Sequence, residues 1–226
     1  MLSDLFQVRS SKRVLKSQWE TDGVPFYRGR EITSLAKHGF VDNDLFISEE
    51  LYREYAEKSG VPTEGDIVIT AIGTIGNSYI VRDEDRFYFK DASVLWLKKI
   101  SGTSSEFINY WLKSSLMGQQ LEQGKGATVD TLTNRKLRSL KLKLPSLQEQ
   151  KRIVAILDDA FAAINSAIAN SEKTLSNIRE LIDSRLAKIF EGKTNEWESR
   201  KLGETCTLRN GRAYKKAELL TEGKYK

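Results

Sequence analysis

Leu144-Pro-Ser-Leu-Gln-Glu-Gln-Lys-Arg-Ile-Val-Ala-Ile-Leu-Asp158 is where the texture of this chain changes. Ser146-Leu-Gln-Glu149 has the form of a capping box: the serine oxygen accepts from an amide of the first turn while the glutamate reaches back. No Gly or Pro follows until Gly192, so nothing interrupts the helix that starts here. About 45 residues at ~1.5 Å each would extend roughly 65 Å. From Leu157 the apolar positions keep four- and three-residue spacing through Phe161, Ile164, Ile168, Leu175, Ile178, Ile182 and Ile189, with Ser171 and Arg185 as polar breaks. That period belongs to a coiled-coil seam. The alternative is a helix folded back on its own head, but a domain of about 145 residues is only ~28 Å across. Leaving the seam wet would forgo roughly 1.5–3 kcal/mol per large side chain, so a second helix is expected to cover it; the polar breaks either help to set register and orientation or are weak spots in the seam.

Upstream of Pro145 the pattern is short and mixed. Asp66-Ile-Val-Ile-Thr-Ala-Ile72, Ser78-Tyr-Ile-Val81, Arg86-Phe-Tyr-Phe89 and Val94-Leu-Trp-Leu97 have strand length and are separated by Gly, Asn and Asp turns. One helix is expected over 49–58, capped by Ser48, stapled by Ile47 onto Tyr52 and stopped by Gly60 and Pro62. Another opens at the capping box Thr103-Ser-Ser-Glu106 and runs towards Gly124. The expected fold is α+β: a domain of short strands and helices over 1–145, then one long coiled-coil helix over 146–192. The remainder, 193–226, repeats the N-terminus at a constant offset of 200, Leu2 over Leu202, Arg9 over Arg209, Lys16 over Lys216, Thr21 over Thr221 and Gly23 over Gly223. It reads as a linker and the truncated start of a second unit. A second copy of the chain could supply the missing half, because identical antiparallel seams make a two-fold dimer.

The chemistry-bearing patterns are sparse. Cys206 is the only cysteine among 226 residues, which excludes an internal disulfide and a multi-thiolate metal site and suits a reducing cytoplasm. No uninterrupted run approaches the roughly 18 apolar residues of a membrane span, and the N-terminus has no long hydrophobic core, so no membrane and no export are expected. Gly118 to Gly124-Lys125 misses the spacing of a phosphate-binding loop, and Gly73-Thr-Ile-Gly76 between apolar runs reads as a tight turn rather than a nucleic-acid clamp. His38 is the only histidine and has no nucleophile motif beside it; Asp83-Glu-Asp85 reads as a solvated hairpin tip rather than a metal site. No cofactor, metal site or catalytic group is expected.

What remains is positive charge. The chain carries +5 net, with an isoelectric point near 9.1, and it concentrates Lys125, Arg135, Lys136, Arg138, Lys141, Lys143, Lys151 and Arg152 in one stretch around Gly124-Lys-Gly126 and Thr128. A second group comprises Arg9, Lys12, Arg13, Lys16, Arg28 and Arg30. Lysines and arginines on loops neutralise phosphates, and an arginine fork reads guanine edges. By charge and loop placement the candidate DNA contacts are Arg28, Arg30, Lys37, Lys90, Lys125, Thr128, Arg135, Lys136 and Arg138. The rival reading is a coiled-coil scaffold with a protein-binding head.

Gly65-Asp-Ile-Val-Ile-Thr-Ala-Ile-Gly-Thr-Ile-Gly76, Gly126-Ala-Thr-Val-Asp-Thr-Leu132, Leu144 to Asp158, and Trp197 to Gly211 together resemble the specificity subunits of type I restriction-modification systems. The resemblance implies target-recognition domains that each read half of a bipartite site in double-stranded DNA. It also implies long helices that fix the spacer and dock the modification subunits. S-adenosylmethionine and ATP would then belong to the partner modification and restriction subunits, and this chain would be a non-catalytic cytoplasmic specificity subunit.

Overall fold

The computed structural model describes residues 1–122, 131–191, 198–207, 209–213 and 215. In chain order its elements are β1 (Phe6–Arg9), β2 (Val24–Tyr27), α1 (Gly29–His38), β3 (Phe46–Ile47), α2 (Glu49–Ser59), β4 (Ile67–Thr70), β5 (Ser78–Ile80), β6 (Tyr88–Phe89), β7 (Val94–Lys99), α3 (Ser105–Lys113), α4 (Ser115–Glu122), α5 (Asn134–Ser139), α6 (Leu147–Glu191) and α7 (Leu202–Thr205). They fall into two compact units, Met1–Asn165 and Ser166–Lys226. The α+β class and the long helix are as the sequence leads one to expect.

The first unit is built on an antiparallel sheet of order β1-β7-β4-β5, beside a small sheet of order β3-β2-β6 in which β2 and β6 run parallel. β4 and β7 read as continuous apolar runs because both of their faces are covered. Alternate residues of a strand point to opposite faces. Ile67, Ile69, Leu95 and Leu97 therefore pack with Ile108 and Leu112 of α3 and Leu137 of α5, while Val68, Val94 and Trp96 pack with Ile32 and Leu35 of α1. The buried carboxylate of Asp66 locks the central strands, accepting from Trp96 Nε1 at 2.8 Å, Lys99 N at 2.8 Å and Thr63 N at 2.9 Å.

Ser48 caps α2 as expected, its hydroxyl oxygen accepting from Leu51 N. The second expected helix differs. Its cap is Ser104, accepting from Phe107 N at 3.1 Å, and not Thr103. It also stops at Lys113, where Ser114 turns extended and its hydroxyl donates to Trp111 O at 2.7 Å, satisfying a carbonyl of the last turn. A separate helix, α4, then begins. Two further helices were not expected: α1, whose Ile32, Leu35 and Ala36 lie at helical spacing ahead of the left-handed Gly39, and α5, which buries only Leu137. β1 and β2 have the strand pattern but are short and lie among charged residues.

Ser146 caps α6 by accepting from Glu149 N at 3.3 Å, and the helix runs unbroken for 45 residues. The first unit extends past 145 to Asn165 because the first turns of α6 pack on α3. Buried Gln150 accepts from Ser104 N at 3.0 Å and donates to Pro145 O at 2.8 Å. Tyr110 donates to Asp158 at 2.5 Å and stacks on Phe161 at 5.6 Å with an interplanar angle of 7°. In the second unit Ile168, Leu175, Ile178, Ile182 and Ile189 are all about half exposed or more. No long uninterrupted apolar run exists, yet one 18-residue window of α6 has a mean hydropathy of 1.4 and is by length and composition apolar enough to cross a bilayer. The most apolar stretch, 153–170, holds Asp158 and Asp159, and Asp158 is the residue bonded to Tyr110.

The two segments related by the offset of 200 form short helices of different type. Leu2–Asp4 forms a one-turn 3-10 helix and Leu202–Thr205 a one-turn α-helix. Leu2 is fully buried whereas Leu202 is 66% exposed. Lys216, Thr221 and Gly223 lie outside the described residues.

Candidate nucleic-acid interface

Four chain segments meet at the end of β4. Ala71 N donates to Ser93 O and Leu132 N to Ala71 O, both at 2.8 Å, and Ile72 bridges Thr131. The start of α1 arrives at the same place: a Cβ on Gly29 would lie 3.9 Å from both Ile72 O and Ser93 O. The β4–β5 hairpin that projects from this junction is held from inside. Gly76 N donates to Thr70 O at 3.1 Å, Asn77 N to Thr70 Oγ1 at 3.1 Å, and Asn77 Nδ2 to Thr33 Oγ1 of α1 at 3.2 Å. Gly73 and Gly76 both have positive φ, so Gly73-Thr-Ile-Gly76 is the tight turn its flanks imply. The neighbouring turn at Asp91-Ala-Ser93 is sharper still, with Ala92 at φ 60° and Ser93 N donating to Asp91 O at 2.7 Å.

The candidate cations divide into free and engaged groups. Lys90 is exposed on the turn before Ser93. Arg135 and Lys136 are exposed in the first turn of α5, with Lys136 Nζ donating to Thr131 O at 3.2 Å. Lys37, in the last turn of α1, lines an open cleft with Ile75, Asn77, Lys113 and Met117. Lys113 carries no motif of its own and only the fold reveals it; desolvation in this cleft pushes its amine below the ordinary lysine range. Among the described residues, none of Lys37, Lys90, Lys113, Arg135 and Lys136 has an ion-pair partner.

Arg28 and Arg30 reach the junction but are engaged. Both bond the fully buried Glu31, at 2.9 and 2.8 Å, and both reach Asp44, at 3.0 and 2.9 Å. Arg138 donates to Val8 O at 2.9 Å and so holds α5 to β1. Three of the N-terminal basic group lie over aromatic rings: Arg9 is 4.9 Å from the Trp96 ring centre, Lys12 5.8 Å from Tyr55 and Lys16 6.0 Å from Trp19. Lys125 and Thr128 lie outside the described residues. Among the described residues no group of three or more His, Cys, Asp or Glu is placed to hold a metal ion. His38 is exposed beside Phe40, and Asp85 accepts from Tyr79 and Arg82 in the connection between β5 and β6, which is not the expected hairpin because those strands lie in different sheets.

Residues 1–174 match the type I restriction modification DNA specificity domain. The chain is 35% identical over 189 residues to the Haemophilus influenzae protein assigned as type I restriction enzyme specificity subunit S.HindORF215P, covering 80% of this chain and 46% of that one. It is 31% identical over 160 residues to the EcoBI specificity subunit of Escherichia coli, covering 67% and 32% respectively. The chain thus spans less than half the length of these curated relatives. The solved HsdS subunit of Thermoanaerobacter tengcongensis has the same fold, with a TM-score of 0.59 at 17% identity over 84% of this chain and 44% of that one.

Proposed function

Because the chain belongs to the type I restriction modification DNA specificity family, we propose that it recognises one half of a bipartite target in double-stranded DNA and catalyses nothing itself. The observation that carries this reading is the junction at the end of β4, where a braced hairpin stands beside Lys90, Arg135 and Lys136, exposed cations without an ion-pair partner among the described residues. Rigid loops carrying unpaired Lys and Arg suit a phosphate backbone, and a scaffold for protein partners does not require them.

In this reading α6 is the measuring and docking element. Its seam pairs with a second helix, either that of a second recognition unit or that of another copy of the chain in an antiparallel dimer. Modification subunits dock on the paired helices and bring S-adenosylmethionine; a restriction subunit brings ATP-dependent cleavage. The working compartment is the cytoplasm.

Titrating binding of the full chain to random and defined duplexes against salt tests the reading. Log affinity should fall linearly with log salt, with a slope near −0.9 per phosphate neutralised. Absence of binding even at low salt would transfer the chain to the scaffold reading, and methyl transfer by the chain alone would show it to be an enzyme.

A further inference from the structure

The hairpin tip contains a side chain that neither packing nor charge explains. Ile72 is 47% exposed, although Ile69 and Ala71 just before it are fully buried. It cannot turn inward, because its neighbours are fixed on both sides by the Ala71 bonds to Ser93 and Leu132 and by its own bridge to Thr131. Gly73 beside it has nothing within 4 Å of where a Cβ would stand, so the backbone there can be approached closely. Beside this apolar point stand Lys136, whose ammonium lies against O of the bridging Thr131, and the Lys90–Ser93 turn, whose Ser93 O accepts from Ala71 N.

We propose that Ile72 at the tip of the β4–β5 hairpin reads a thymine, its side chain lying against the C5 methyl group in the major groove. This rests on the DNA-binding reading above and adds a specificity-determining residue to it. Cations that hold two phosphate ridges leave the groove floor to whatever projects between them. The apolar group that the major groove presents there is the thymine methyl. The tip is already braced in the free protein, so little ordering is lost on contact.

The test uses the full chain and the duplex it selects from a random pool, with each thymine replaced in turn by deoxyuracil, which lacks only the methyl. One position should weaken by about fourfold, the worth of a single methyl removed from water. Ile72→Ala should erase the difference between thymine and uracil at that position and at no other, with Ile72→Val intermediate. The salt slope should stay unchanged, because neither substitution removes a charge. A selected site without thymine, uniform indifference to uracil, or an Ile72→Ala variant that still discriminates overturns the proposal while leaving DNA binding intact. Failure of the unaltered chain to bind any duplex removes the DNA reading first and the proposal with it.

Discussion

Glu31 has no exposed surface yet is held as an anion. Burial alone would push its pKa up, but Arg28 donates from its backbone and from two side-chain nitrogens, Arg30 adds a further hydrogen bond, and the result is a pKa of about 2, well below the ordinary glutamate value. A carboxylate depressed in the folded state stabilises above its unfolded pKa and loses that stability as pH falls through the folded one. The contribution here is about 3 kcal/mol, present at pH 7 and lost between roughly pH 4.5 and 2. Glu31→Gln should lower stability at pH 7 by that order in a urea titration and flatten the acid limb of the stability profile across the same window. At this scale the candidate site was only partly legible. Arg28 and Arg30 are visible in the sequence as cations, but their partner Asp44 is far along the chain and the burial of Glu31 is a property of packing. Ile72 was visible only as the end of an apolar run; its exposure comes from where the strand stops.

At the scale of elements, α6 follows from local signals: a cap, a long absence of breakers and a steady apolar period. The seam needs one refinement at its far end. Leu181 and Leu186 are 59% and 48% exposed and flank Arg185. Ile178, Ile182, Leu186 and Ile189 form a stripe at four-four-three spacing that leaves Arg185 to one side. Eleven residues in three turns is 3.67 per turn, which locally relaxes the left-handed supercoil of a heptad seam. Leu186→Ala should therefore weaken helix pairing at least tenfold, in line with the roughly 2–5 kcal/mol cost of truncating a core leucine, and Arg185→Ala much less. Sedimentation velocity over a concentration series reads the difference, and equal effects of the two substitutions would restore Arg185 to the seam. α5 was not legible, because it is six residues long and buries only Leu137; α1 was missed although Ile32, Leu35 and Ala36 lie at helical spacing and Gly39 marks its stop. The break at Ser114 was missed because a serine that bonds the preceding turn looks in sequence like any polar helix position.

At the scale of the whole molecule, a net charge of +5 is a poor guide to which cations face DNA. Arg9, Lys12 and Lys16 lie over aromatic rings and Arg138 holds a backbone carbonyl, whereas Lys90 and Lys136 are exposed at the junction and have no ion-pair partner among the described residues. Lys90→Ala and Lys136→Ala should each reduce the magnitude of the salt slope by about 1 and weaken all duplexes alike. Arg9→Ala should leave the slope unchanged, and an altered base preference in either lysine variant would assign that side chain to a base edge instead. The α+β class, strands β4, β5 and β7 of the central sheet, the extent of α6 and the family motifs were settled by sequence, because capping, periodicity and turn chemistry act over a few residues, whereas the edge strand β1 was not. Which loops meet, which arginines are neutralised, how much of α6 its own head covers, and the exposure of Ile72 were decided only by tertiary structure. Those features depend on residues distant in the chain coming together, and on a competition for burial that no local pattern records.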